Sequence, residues 1–189
     1  MNVNAATYSD YLLVISPPAA VDEMIVKYKK ATARLIGNFE GMYGKAHISV
    51  SSQHRQMPAL MQQKLDCYQR NIIRLRPTQL YVNGFNFFKH GDVGATIYAK
   101  IELNNEVNSW FTQLKRVFGD KTKTMVPHIE VAKNIPVDQF RILWPRFVDK
   151  QYQCDFIPQG ITVLSRPMIG GREQPWTQFK ELYFNNFGY

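Results

Sequence analysis

A 189-residue chain with 45% hydrophobic content is sized for one folded domain, or for two small lobes sharing a core. Two cysteines far apart in sequence, Cys67 and Cys154, exclude a disulfide framework and a zinc-ligand spacing, and read as buried free thiols of a reducing compartment. The early apolar run Tyr11–Ile15 is too short for a signal peptide or a membrane span, so a cytoplasmic protein without membrane contact is expected.

Tyr11–Ile15 reads as a buried strand stopped by Pro17 and Pro18. Residues 21–36 follow with apolar residues at helical spacing: Val21, Met24, Ile25, Tyr28, Ala31 and Leu35. Lys27, Lys29, Lys30 and Arg34 form the expected solvated side of that helix. Gly37, Gly41 and Gly44 then break the chain before a strand that begins at His47. Residues 58–75 carry a second helical stripe, ended by Pro77. A hairpin is predicted from Leu80–Val82 and Phe85–Phe88, through a turn at residues 89–92, to a returning strand over 95–101. A third helix spans 104–118, with Asn104 or Asn105 as its cap. The His128 strand is next, Pro136 opens a fourth helix over 137–147, and three strands are expected over 152–156, 160–165 and 176–184. His54 and His90 fall in expected loops.

Two segments of this chain rhyme. One reads Lys45-Ala46-His47-Ile48-Ser49-Val50-Ser51 and the other Val126-Pro127-His128-Ile129-Glu130-Val131-Ala132. Strand side chains alternate faces, so His47, Ser49 and Ser51 should share one face, and His128 and Glu130 another. Two imidazoles in one cleft could serve as general base and general acid near neutral pH. The histidines are 81 residues apart, nearly half the chain, and the order of elements around each is similar. That suggests an internal duplication of two α+β lobes within a single bilobal domain over 1–189, its approximate halves being 1–90 and 91–189. The net charge is +8, and residues 1–90 hold 11 Lys and Arg against 5 Asp and Glu. A basic field favours an anionic partner, although charge alone is more ordinarily a matter of solubility.

With these motifs the chain resembles the two-histidine phosphoesterase superfamily, the group that includes LigT-like 2'-5' RNA ligases and cyclic phosphodiesterases. The resemblance covers most of the chain. It takes in the strand ending in Pro17-Pro18, the helix after it, His47-Ile48-Ser49-Val50, the aromatic hairpin around Phe85-Asn86-Phe87-Phe88, and Pro127-His128-Ile129-Glu130-Val131. It implies a bilobal α+β fold in which two antiparallel-rich sheets flank a central cleft, helices lie outside, and His47 and His128 both point into the cleft. It implies a hydrolase or phosphoesterase acting on 2',3'-cyclic phosphates or 2'-5' phosphodiesters of RNA ends or small nucleotides. No metal, cofactor or obligatory protein partner is implied. Catalysis would fall to His47 and His128, and phosphate binding to Ser49.

The second motif departs from the family pattern at Glu130, where a Ser or Thr donor is expected. A carboxylate only accepts hydrogen bonds and repels a phosphate. Three readings stay open: Glu130 binds in its acid form, it holds His128 protonated, or the protein is a catalytically degenerate RNA- or nucleotide-binding module. Lys133 would help only if a bulge turned it toward His128. Phe87 or Phe88 could stack on a base, though core packing is the commoner use. Tyr43 could line the cleft. His47, His128 and Glu130 are also an acceptable metal set, with nothing else in the sequence to support one.

Overall fold

The computed structural model describes residues 8–120, 126–169 and 172–185. Nine strands and four helices alternate along them: β1 (Ser9–Ile15), α1 (Ala19–Ile36), β2 (Ile48–Gln56), α2 (Pro58–Ile72), β3 (Leu80–His90), β4 (Gly94–Ile101), α3 (Asn105–Val117), β5 (His128–Pro136), α4 (Val137–Leu143), β6 (Gln153–Phe156), β7 (Gly160–Ile169), β8 (Arg172–Glu173) and β9 (Thr177–Tyr183). Every strand pairing is antiparallel. One sheet has the order β2-β1-β7-β8, with β9 also paired to β7; the other has the order β5-β4-β3-β6. The fold is α+β, two antiparallel sheets with four helices, as the sequence led us to expect. The first sheet draws its strands from both ends of the chain, and the second from the middle.

The local chemistry explains most boundaries. Pro18 takes an extended backbone, and its carbonyl accepts from the Val21 and Asp22 N–H groups to open α1. The Asn104 side chain accepts from Val107 N–H at 2.8 Å, which makes Asn104 the cap of α3. The predicted fourth helix stops at Leu143 and tightens to a 3-10 turn over Trp144–Arg146, because Pro145 has no N–H to continue it. The two short strands expected before the hairpin turn are one strand, β3. Its ladder slips between Val82 and Phe85, where Gly84 takes φ +68° and donates to the Tyr152 carbonyl. His54 lies in β2 and His90 at the end of β3, not in loops. Cys67 is exposed and Cys154 half-buried, so neither thiol is fully buried as expected.

The buried face of α1 differs from the apolar stripe. It consists of Val21, Ile25, Lys29 and Thr32, while Ala31 and Leu35 are exposed. Those four positions follow helical periodicity closely, with a lysine and a threonine on the inner line. The motif strands β2 and β5 are each the end strand of a sheet, and they approach each other at the seam. The helices cross over: α1, which leads into β2, packs on β5, and α3, which leads into β5, packs on β2.

Candidate active site

Both motif strands carry the same irregularity. In β2 the partners of Ser49 and Ser51 are the consecutive residues Val14 and Leu13, so Val50 is the extra residue of a bulge. In β5 the partners of Glu130 and Ala132 are Tyr98 and Ile97, so Val131 is extra. A bulge shifts side-chain phase by one residue. The expected continuous face of His47, Ser49 and Ser51 therefore ends at Ser49, and Ser51 is buried opposite the core residue Leu13. On β5 the same shift supplies what Lys133 needed. Its ammonium lies 3.8 Å from Glu130 and 3.2 Å from Glu40.

The two histidines are held alike. His47 Nδ1 lies 3.0 Å from the Lys45 carbonyl, and His128 Nδ1 lies 2.7 Å from the Val126 carbonyl. A carbonyl can only accept, so each Nδ1 carries the hydrogen and each Nε2 is left for other work. Both rings are half-buried.

The segment before His47 is clamped from α1. Lys29, only 5% exposed, donates from Nζ to the carbonyls of Gly41 at 2.9 Å and Gly44 at 2.8 Å. Asp22, two turns earlier on the same helix face, accepts from the Ala46 N–H at 2.6 Å. The same segment is tied to the second motif strand, since Glu40 bridges Lys133 and accepts from the Asn134 amide at 2.6 Å. Lys29 was expected on a solvated face. It is buried because the loop's carbonyls give its ammonium partners.

Electrostatics couple the halves. Burial pushes the His47 pKa below its ordinary value; its carbonyl bond and Glu130 oppose that, and Lys29 and Lys133 add to it. Burial likewise lowers the Lys29 pKa, against the pull of Glu130 and Asp22. Glu130 therefore acts on His47 across the seam, and among the described residues its ion pair is with Lys133 rather than His128.

Around His128 the wall is aromatic. Tyr98 stacks on Phe88 with ring centroids 4.3 Å apart, and each of those rings is 5.0 Å from the His128 ring. Phe87, with Phe88 a candidate from the sequence to stack on a base, points to the other side of β3 and takes the commoner core role, packing on Phe140 and Trp144 at 4.8 Å. The ring at the site is Phe88. Tyr43 is 84% exposed, so it projects into solvent rather than lining a wall. A cavity of about 400 Å³ extends the His128 side, lined by Asn86, Tyr98, Lys100, Glu102, Asn104 and Val126 among others. Lys100 is the cross-strand partner of His128. The structure thus places Ser49, His128 and Glu130 on the two seam strands, and His47 immediately before the first of them. It adds Lys29, Lys133, Phe88 and Tyr98, of which the sequence singled out only Lys133 and Phe88 in the right connection.

No known family pattern matches the sequence, and no curated protein matches it. Solved structures do match. Escherichia coli LigT complexed with NADP+ aligns over 94% of this chain and 99% of its own, with TM-score 0.65 and 11% identity. TT0787 of Thermus thermophilus aligns over 93% and 98%, with TM-score 0.69 and 13% identity. A protein described as a phosphoesterase aligns over 94% and 98%, with TM-score 0.59 and 11% identity. Likeness along nearly the whole of each chain establishes the architecture, and this chain has the LigT-like fold to which its two histidine motifs pointed.

Proposed function

We propose that this protein is a metal-independent phosphoesterase that acts on 2',3'-cyclic phosphates or 2'-5' phosphodiesters of RNA ends or small nucleotides. The observation that carries the reading is the matched pair of imidazoles, each tethered through Nδ1 to the carbonyl two residues back and each at the start of a seam strand. LigT with the same fold has been seen in complex with phosphate and with 3'-AMP, which suits a phosphate-centred cleft.

The roles follow from charge. Burial and two nearby ammonium groups favour the neutral form of His47, so its Nε2 is the base. His128, the other imidazole of the pair, is then the acid. Water attacks the phosphorus of a cyclic phosphate while His47 Nε2 takes its proton. The bond from phosphorus to one ribose oxygen breaks, and His128 Nε2 delivers a proton to that oxygen. Ser49 donates to a non-bridging oxygen, and Phe88 with Tyr98 forms the wall beside the leaving ribose. The free thiols of Cys67 and Cys154 suit a reducing, cytoplasmic setting, and no described helix is long and apolar enough to cross a membrane.

The test is turnover of 2',3'-cyclic nucleotides and cyclic-phosphate-ended RNA, with and without chelator. His47→Ala and His128→Ala should each lower kcat by roughly two to four orders of magnitude, and chelator should have no effect. Full activity in both variants, or a requirement for a divalent metal, would refute the mechanism. Tight binding without turnover in the wild type would leave a nucleotide-binding module.

A further inference from the structure

We infer that Glu130 makes the cleft selective for monoanionic phosphodiesters over dianionic phosphomonoesters. The inference rests on the phosphoesterase reading and specifies its substrate class. Glu130 lies two residues along β5 from His128 and on the same side, opposite Tyr98 of β4. Its field reaches His47 on the other seam strand. An anion held between the two imidazoles therefore sits beside this carboxylate. The charged groups around it are Lys133, which pairs with it at 3.8 Å and with Glu40 at 3.2 Å, Lys100, the cross-strand partner of His128, and the two imidazoles, while the Lys29 ammonium is committed to two backbone carbonyls; Glu130 is the anion among them on the His128 side of β5.

A cyclic phosphate or an internal diester carries one negative charge near neutral pH. The monoester formed by its hydrolysis carries nearly two, since its second ionisation lies near pH 6. Were that extra charge to sit about 6 Å from the Glu130 carboxylate in a medium of intermediate dielectric, the repulsion would amount to roughly tenfold in affinity. Lys133 softens this repulsion without removing it. With Glu130 present, the substrate is retained, the product is expelled, and terminal phosphomonoesters are weak competitors. A hydroxyl at this position would bind both charge states and hold the product.

A nucleoside 2'-monophosphate and its 2'-methyl phosphodiester differ by one methyl group and one charge, so calorimetric titration of both isolates the effect. At pH 7.5 the ratio of diester to monoester affinity should be about ten times higher in the wild-type protein than in Glu130→Gln. Glu130→Gln keeps the side chain's shape and should lower the ratio chiefly by strengthening monoester binding. Glu130→Thr is the second variant if the glutamine form does not fold. The difference between wild type and variant should shrink at pH 5, where the monoester is mostly monoanionic and the imidazoles are common to both proteins. An equal ratio in wild type and variant at pH 7.5, or a difference between them that persists undiminished at pH 5, overturns the proposal while leaving the phosphate cleft intact. Failure of the wild type to bind either ligand overturns the phosphoesterase reading as well.

Discussion

Replacing Lys29 by methionine removes an ammonium and keeps most of the stem that fills its place on α1. The structure assigns that ammonium two hydrogen bonds, to the carbonyls of Gly41 and Gly44. Bonds from a charged donor contribute roughly 1.5–3 kcal/mol each. Burying the ammonium opposes them, as the lowered pKa of Lys29 records, and methionine is freed of that cost. Both glycines are exposed, so water can reach the freed carbonyls. The balance is a loss of about 1–3 kcal/mol, and at about 2–4 °C per kcal/mol for a chain of this length the melting midpoint falls by roughly 2–12 °C. A second readout is chemical. Lys29 is one of the two cations that depress the His47 pKa, so its removal raises that pKa. The base is active when neutral, and the acidic limb of the pH–rate profile should move to higher pH. Scanning calorimetry and a pH–rate profile measure the two effects. An unchanged midpoint together with an unmoved limb would refute both the clamp and the electrostatic coupling.

Lys133→Met should shift the acidic limb in the same direction with little change in stability, since Lys133 also depresses the His47 pKa but lies in a half-exposed ion-pair cluster. Phe88→Ala should weaken nucleotide binding or lower kcat by removing a ring that packs on His128, while Phe87→Ala should chiefly destabilise the fold, by about 3–5 kcal/mol if its site does not collapse; equal effects of both on binding would contradict the assignment of faces. Asp10 gives a pH test of stability: burial raises its pKa, but bonds from the Arg55 N–H and the Arg166 guanidinium, with the charges of His54 and Arg166, outweigh that and hold it below the usual carboxylate range. Its contribution is therefore complete above the unfolded carboxyl pKa near 3.9 and fades as pH falls through the lower folded value, so Asp10→Asn should be less stable than wild type at pH 7 and close to it at pH 2, measured by urea unfolding.

The one-dimensional signals in this chain determined most of the elements that form and where the two motif histidines fall relative to them. Pro17 and Pro18 end a strand, Asn104 caps a helix, period-2 alternation marks β5, and the matching tetrapeptides at His47 and His128 mark the starts of two similar strands. Those are local properties, carried by backbone propensity and side-chain spacing. Three matters depended on partners distant in sequence. Strict alternation cannot register a bulge, so the burial of Ser51 and the inward turn of Lys133 waited on the ladders that β2 and β5 make with β1 and β4. Phe87 and Phe88 are equivalent by composition, and only the pairing of β3 with β4 decides which of them meets His128. Lys29 sits on the inner face of α1 because the carbonyls of a loop 12 and 15 residues later return to its ammonium. A hydropathy stripe scores a lysine as solvent-facing. Tertiary structure can bury it wherever the chain brings back enough acceptors to replace water.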